Sequence, residues 1–399
     1  MRTRGLTRGT AVVVALASQL LVGGAAGAAG SGWSIEPSPN PAGATSSTLA
    51  AVSCPGPETC TAVGQYTPAG GGILTLVERW DGSSWNIEST PNRAAASNVL
   101  TGVSCASPGS CTAVGYSVSS MVRALVEEWD GNTWTIVPTP APPHSSWFAL
   151  FGVSCPAPSD CTAVGGSIGK AVDAQEKPLA EHWDGTAWTI EPTPNPRAQN
   201  GSDLSGVACP GPAVCEAVGN YAYADVDQSI FAFGWNGTSW VHQHQPNPAG
   251  ANMNSDNFVS CSGAAACTSI GTWTDAGQRI RGLAERWNGT SWSRQLVANP
   301  KAFTLSELFG VSCANGSSCT AVGDWSKSFN GNPSATIAEE WDGTAWSIDS
   351  TPNPNGATAS TLKGVDCGSA GAWSAGACVA VGSSYAAGIT QTLVEIHSP

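Results

Sequence analysis

Short apolar runs alternate with clusters of Gly, Pro, Asn, Asp and Ser along nearly the whole chain. Leu49 to Cys54, Cys60 to Tyr66, Leu74 to Trp80 and Trp85 to Ser89 are brief and rich in Val, Thr and aromatic residues, which predicts four strands, A to D. Between C and D stands Asp81-Gly82, a strong hairpin signal because tight reversals need residues that tolerate positive φ. The same dipeptide or Asn-Gly recurs at Asp130-Gly131, Asp184-Gly185, Asn236-Gly237, Asn288-Gly289 and Asp342-Gly343.

The pattern is periodic. Seven cysteine pairs, Cys54/Cys60, Cys105/Cys111, Cys155/Cys161, Cys209/Cys215, Cys261/Cys267, Cys313/Cys319 and Cys367/Cys378, have first members 50 to 54 residues apart. Val-Ser-Cys leads each pair in, Thr-Ala-Val-Gly follows, and Glu-x-Trp-Asp-Gly-x-x-Trp comes about 20 residues later, each with variants. Four strands per period of about 50 residues is the signature of a propeller blade. The last unit stops at Leu393 to His397 without a D strand, while Gly30 to Pro37 near the start matches Gly82 to Glu88. A repeat cut at its C to D turn closes a ring and covers both free edges. The expected fold is therefore all-β: a seven-bladed β-propeller closed by the N-terminal D strand against the C-terminal A to C strands. A linear β-solenoid is the alternative.

Residues present in every unit are read first as scaffold. The recurring tryptophans bury a large area, and the close cysteine spacing suits seven disulfides within those pairs across each A to B turn. A zinc reading is weaker, since only five histidines occur in the chain and none accompanies the paired cysteines. Glu78, Glu127, Glu181, Glu285, Glu339 and Glu395 share one strand position and are expected to be buried structural ties. The fourth unit has Phe233 there and Glu216 in place of the usual strand B Thr, so the two positions are expected to be neighbours and the acid to have moved between strands.

Composition sets the compartment. Arg2, Arg4 and Arg8, an apolar run from Ala11 to Val22 and small residues to Ala28 read as a secretory leader over residues 1–28, followed by one domain over 29–399. Export permits disulfides, and all 14 cysteines lie beyond the leader. The formal net charge is −13, which disfavours nucleic acid and anionic membranes. No later segment is apolar enough for membrane insertion. A secreted, extracellular monomer without cofactor or metal is expected.

These repeats resemble those of secreted bacterial propeller-repeat proteins, a resemblance that covers essentially the whole exported chain and implies fold and export. They lack the Gly-His partner of WD repeats, the longer Asp-box of sialidases and the double glycines of kelch repeats.

Function is expected on the face bearing the D to A joints and B to C loops, because these vary between units. An aromatic follows strand B at Tyr66, Tyr116, Tyr221, Trp273, Trp325 and Tyr385, with Trp147 filling the gap in the third unit. Such residues could stack on sugars or pack between loops. Acids without counterparts in every unit are Asp173, Glu176, Asp225, Asp227, Asp275 and Asp324. In the fifth unit Asp256 replaces the strand A Leu and Phe258 a small residue, marking either a candidate acid or cation ligand or a displaced strand. Three functions follow: a module recognising a glycan or other cell-surface ligand; a glycan hydrolase or lyase using Asp256, Asp225 or Asp227; or a structural, protein-docking scaffold.

Overall fold

The computed structural model of the protein describes residues 32–398, except residue 57 and the stretches 95–96, 172–173, 197–200, 224–226, 252, 329–332 and 369–376. The leader expected over residues 1–28 lies outside the described residues. Every regular element described is a strand.

β1 (Gly32–Glu36) precedes the first full unit, β2 (Ala44–Gly56), β3 (Thr59–Pro68), β4 (Leu74–Trp80) and β5 (Trp85–Glu88), which pair antiparallel in that order. The order recurs in β6 (Ser97–Ser107), β7 (Ser110–Val118), β8 (Val122–Trp129) and β9 (Trp134–Ile136). It recurs in β10 (Ser145–Ala157), β11 (Asp160–Gly169), β12 (Glu176–Trp183) and β13 (Trp188–Glu191), and in β14 (Ser202–Gly211), β15 (Val214–Tyr223), β16 (Asp227–Trp235) and β17 (Trp240–Gln243). Next come β18 (Met253–Gly263), β19 (Ala266–Thr274), β20 (Ile280–Trp287) and β21 (Trp292–Gln295), then β22 (Leu305–Asn315), β23 (Ser318–Ser326), β24 (Ser334–Trp341) and β25 (Trp346–Asp349). β26 (Ala359–Cys367), β27 (Cys378–Ala386) and β28 (Ile389–Ser398) pair in order, and β1 lies along β28 with Trp33 opposite His397 and Glu36 opposite Val394.

The sheets pack face to face, which explains apolar runs longer than simple alternation allows. Cys60, Ala62, Leu76 and Trp80 on one face of the first sheet meet Val379, Val381 and Val394. Val63 and Val77 on its other face meet Leu100, Ala113 and Leu125 of the next sheet. Trp85 is 4% exposed, and burying an indole of roughly 200 Å² is worth up to about 5 kcal/mol. Every A strand described carries a bulge after its Leu position, as between Leu49 and Ala51. The backbone there crowds strand B, and a β-carbon on Gly64 would collide with the Thr48 carbonyl. That contact explains the Gly that ends the Val-Gly or Ile-Gly following each second cysteine.

All seven expected disulfides are present: Cys54–Cys60, Cys105–Cys111, Cys155–Cys161, Cys209–Cys215, Cys261–Cys267, Cys313–Cys319 and Cys367–Cys378, with Cα atoms 3.9–4.1 Å apart. Each short loop contributes about 2 kcal/mol by restricting the unfolded chain. The bridges are more than surface staples across a turn. The second cysteine of each pair, Cys60, Cys111, Cys161, Cys215, Cys267, Cys319 or Cys378, is only 0–3% exposed, so these cysteines belong to the core. They also meet the neighbouring unit. The strand B hydroxyls of Thr61, Thr112, Thr162, Thr268 and Thr320 lie 3.5–3.8 Å from the Sγ atoms of Cys111, Cys161, Cys215, Cys319 and Cys378. A bridged sulfur carries no proton, so each Thr donates. Cys267 stands beside the unit whose strand B Thr is replaced by Glu216, and the Thr–sulfur contact is not repeated there.

The Asp-Gly hairpins form, but as loops longer than a two-residue turn. Asp81 N–H donates to the Ser84 carbonyl, Asp81 Oδ1 accepts from the Ser83 and Ser84 N–H groups at 2.9 Å, and Gly82 supplies φ 94°. Trp80 and Trp85 then face each other with ring centroids 5.9 Å apart.

Backbone groups tie neighbouring units as well. Cys105, Cys155, Cys209, Cys313 and Cys367 each donate their N–H to a Ser hydroxyl of the preceding unit, Ser53, Ser104, Ser154, Ser260 and Ser312, at 2.9–3.0 Å. The six recurring Glu residues are fully buried, and Glu78, Glu181 and Glu339 act as ties. Ser38 Oγ donates to Glu78 Oε2 at 2.8 Å, Thr139 Oγ1 to Glu181 Oε2 at 2.7 Å, and the Ala298 N–H to Glu339 Oε2 at 3.0 Å. In each case the donor sits just past a D strand of the preceding sheet. The fourth unit departs from the expected relocation of its acid. Glu216 lies opposite Gly234 and Phe233 opposite Ala217, so the two side chains are adjacent in register but point to opposite faces. Gln243 Nε2 donates to Glu216 Oε1 at 3.2 Å, while Phe233 packs its ring 4.9 Å from that of Phe231.

Candidate functional site

The A strands supply two consecutive rows of side chains to a central cavity. A cup of about 470 Å³ is lined by Thr48, Ala50, Val99, Thr101, Phe151, Ser205, Phe309 and Lys363 of these strands, with Gln65, Tyr116 and Ser383 from B strands. Deeper, a second cavity of about 120 Å³ is lined by the Gly-Val or Ala-Val pairs that follow in each A strand. Phe258 lines both. It stands where the other units have Ala51, Gly102, Gly152, Gly206, Gly310 and Gly364, so a single phenyl ring separates cup from channel.

The cup combines aromatic rings with hydroxyl and amide groups and one ammonium. Lys363 Nζ lies 3.1 Å from the centre of the Phe309 ring, a cation–π contact in a partly desolvated site. Burial draws the Lys363 ammonium below its usual range, opposed by Asp324 and Glu307. Those two acids face each other across β22 and β23. Burial pushes Asp324 up to about 7, with Lys363 lowering it and Glu307 raising it, and Glu307 is itself raised by burial.

A second acid pair stands in the third and fourth units. Gly166 leaves its face of β11 open, and the space where its β-carbon would be is bordered by Glu176 Oε1 and Asp203. Burial pushes Glu176 up to about 7, with Asp203 adding to the rise, and pushes Asp203 up to about 6 against a backbone hydrogen bond. Asp203 and Glu307 occupy the A-strand position held by Thr48 and Val99, both of which line the cup.

The seven aromatic candidates are not brought to one place. Tyr116 lines the cup, and Trp147 lies 6.3 Å from the cup residue Phe151. Tyr66 packs on the core between the first sheet and β27–β28, Tyr221 rests 5.8 Å from Phe231, and Trp325 packs against the core cluster that includes Ile270 and Leu308. Trp273 has the guanidinium groups of Arg294 and Arg281 at 4.6 and 5.9 Å, and Tyr385 is exposed. Strand parity explains the division. Counted from the second cysteine, Tyr66, Tyr221, Trp273 and Trp325 are the sixth residue on, whereas Tyr116 is the fifth and Tyr385 the seventh. An odd offset turns the side chain to the other face.

Among the acids, Asp225 and Asp173 lie outside the described residues, as do the side chains of Asp227 and Asp256. The backbone of Asp256 is not displaced: it pairs with Gly271 and precedes the same bulge as Leu49 opposite Gly64. Asp275 caps its own loop, accepting from the Gly277 and Arg279 N–H groups and from Arg281 Nε at 2.7 Å. Sequence reading missed Asp203, Glu307 and Lys363. The signal that finds them is the variation among units at the positions flanking the A-strand Leu.

No family model matches the chain, and no curated protein matches it. Among solved structures, YCF48 bound to a D1 peptide is similar with a TM-score of 0.52 and 10% identity over 92% of this chain and 97% of that one. A protein of unknown function from Dyadobacter fermentans is similar with a TM-score of 0.51 and 8% identity over 92% and 97%. The six-bladed fucose lectin of Aleuria aurantia reaches a TM-score of 0.45 and 15% identity over 78% and 98%. At such identities the likeness is one of fold, an all-β architecture of propeller type.

Proposed function

We propose that the chain is an exported, closed seven-bladed β-propeller that binds a carbohydrate in the cup at its channel mouth. Closure is supported by β1 along β28 and by the hydrogen bond from the Cys54 N–H to Asp366. Export is supported by the leader-like residues 1–28 and the seven disulfides. No helix among the described residues is long and apolar enough to cross a membrane.

The observation that carries the binding reading is the make-up of the cup. Phe151, Phe309 and Tyr116 offer ring faces to the C–H face of a sugar, and Thr48, Gln65, Thr101 and Ser205 offer hydrogen bonds to its hydroxyls. A volume of about 470 Å³ falls in the range of small-molecule sites. Glycan-array binding by the disulfide-bonded protein, with product analysis on the retained glycans, tests the reading. Retention without cleavage, lost in Phe309→Ala, is expected; no retention of any glycan would refute it.

The acid pairs favour a second reading, cleavage of the bound glycan. A carboxyl held near neutrality is suited to act as a general acid. Turnover abolished by Asp203→Asn or Asp324→Asn would establish it.

A further inference from the structure

Away from the cup, β24, β25 and β28 bring together Glu340, Asp349 and His397. His397 stands where other units carry the first tryptophan of the C to D pair, such as Trp80 or Trp341, and its ring still lies 5.3 Å from its partner Trp33. An imidazole presents nitrogen where an indole presents carbon. His397 Nε2 is 3.4 Å from Asp349 Oδ2 and 3.5 Å from Glu340 Oε1. Its Nδ1 is buried without a hydrogen-bond partner, so the polar contacts of the ring run through Nε2 alone.

These distances discriminate. A charge-assisted hydrogen bond closes to about 2.7–2.9 Å, and the other histidine–carboxylate pair among the described residues, His182 Nε2 with Asp160 Oδ1, does close to 2.9 Å. Two donors that each sit about 2.0–2.1 Å from one tetrahedral ion are separated by about 3.3–3.4 Å. The His397 contacts, at 3.4 and 3.5 Å, are longer than the first and close to the second, and the three ligand atoms all lie within 4.8 Å of one another.

In two units the residue at the position of Asp349 accepts from the indole Nε1 of the next unit: Glu191 Oε2 from Trp240 at 2.8 Å and Gln243 Oε1 from Trp292 at 2.6 Å. Asp349 carries no such bond to the neighbouring Trp33, and its Oδ2 faces His397. Glu340 and His397 border a cavity of about 230 Å³, enough for a water in a fourth coordination position.

We propose that Glu340, Asp349 and His397 bind a divalent transition-metal ion of the zinc class, with a water completing a tetrahedral shell. A neutral imidazole and two carboxylates carry two negative charges, which the ion neutralises. Bound there, it would clamp the C-terminal strand β28 to the preceding sheet, so its main effect is on stability.

The test uses the full disulfide-bonded protein stripped with a chelator and titrated with zinc alone, then with cobalt(II) alone as an optical probe. One equivalent of zinc, visible cobalt bands of tetrahedral intensity and a rise of several degrees in Tm are expected. His397→Gln and Asp349→Asn should each weaken binding at least 10-fold, whereas His182→Gln should leave it unchanged. Glu340→Gln, at a half-exposed position, provides the same loss should His397→Gln fail to fold. Absence of stoichiometric binding, or zinc affinity and cobalt bands that survive both carboxylate variants, would overturn the proposal.

Discussion

The Cys54 N–H donates to Asp366 Oδ2 at 2.7 Å, across 312 residues of chain. In five other units a Ser from the preceding unit accepts this N–H; here the acceptor is a carboxylate from β26. Asp366 extends further than a Ser hydroxyl and reaches the seam between the two ends of the repeat. Removing it leaves a partly buried N–H without an acceptor, which costs about 1–3 kcal/mol. Asp366→Ala is therefore expected to lower the denaturant midpoint by that amount, and Asp366→Ser to recover part of it. Equal midpoints for wild type and Asp366→Ala would show that the seam does not depend on this bond.

A larger effect is expected at the same seam from deleting residues 31–38. The deletion removes all five residue pairs between β1 and β28, the buried Trp33 indole, and the Ser38 hydroxyl that bonds Glu78 and Thr392. It also exposes the edge of β28, a liability for aggregation. Tm should fall by roughly 5 °C or more, since the indole alone is worth up to about 5 kcal/mol and each kcal/mol shifts a domain of this size by about 1 °C. A linear array would lose only the local contribution of a frayed end.

The buried acids predict a stability that falls as pH rises. Burial pushes Glu78 and Glu127 up to about 8 and Glu181 and Glu216 up to about 7, opposed in turn by Ser38, Arg93, Thr139 and Gln243. The folded state therefore holds these protons while the unfolded chain releases them near pH 4.5. Stability from these groups is fully present below that pH and is lost progressively as pH rises towards 7 to 8. Thermal scans should show a higher Tm at pH 5 than at pH 8. Glu127→Gln, which keeps the shape of the neutral acid, should reduce that difference; a Tm that rises with pH over this range would show that the acids are ionised in the fold.

Much of this scaffold was readable from the chain because it is repeated. Seven copies of a Cys pair, each followed by Val-Gly or Ile-Gly, and six of a Trp-Asp-Gly or Trp-Asn-Gly turn average out local ambiguity, and the strand C limits Leu74 and Trp80 are those expected. Single-copy features had no such support. Aromatics one residue apart in register looked equivalent in the sequence, yet Tyr116 and Tyr66 lie on opposite faces because strand parity inverts at each residue. Lys363, Glu307 and Asp203 are ordinary polar residues in sequence. They gain meaning only when β22, β23 and β26 bring Lys363 to the acids, and when Gly166 leaves space beside Asp203.

Phe258 provides the most specific test of the cup. Being the side chain common to both cavities, it forms the cup floor, and the other units show that Gly or Ala is compatible with the bulged A strand at its position. Phe258→Gly should therefore preserve the fold while joining cup and channel, with a loss of stability of about 3–5 kcal/mol from the missing ring. If a sugar rests on this floor, affinity for the retained glycan should fall at least 10-fold as its ring contact is replaced by water. Lys363→Met separates the remaining contributions. It keeps an extended side chain over Phe309 but removes the charge that lowers Asp324, so any pH dependence of retention should move upward. Retention insensitive to both variants would place the ligand elsewhere on the molecule, whereas loss in Phe258→Gly with a shifted pH profile in Lys363→Met would assign ring contact and charge to separate walls of one site.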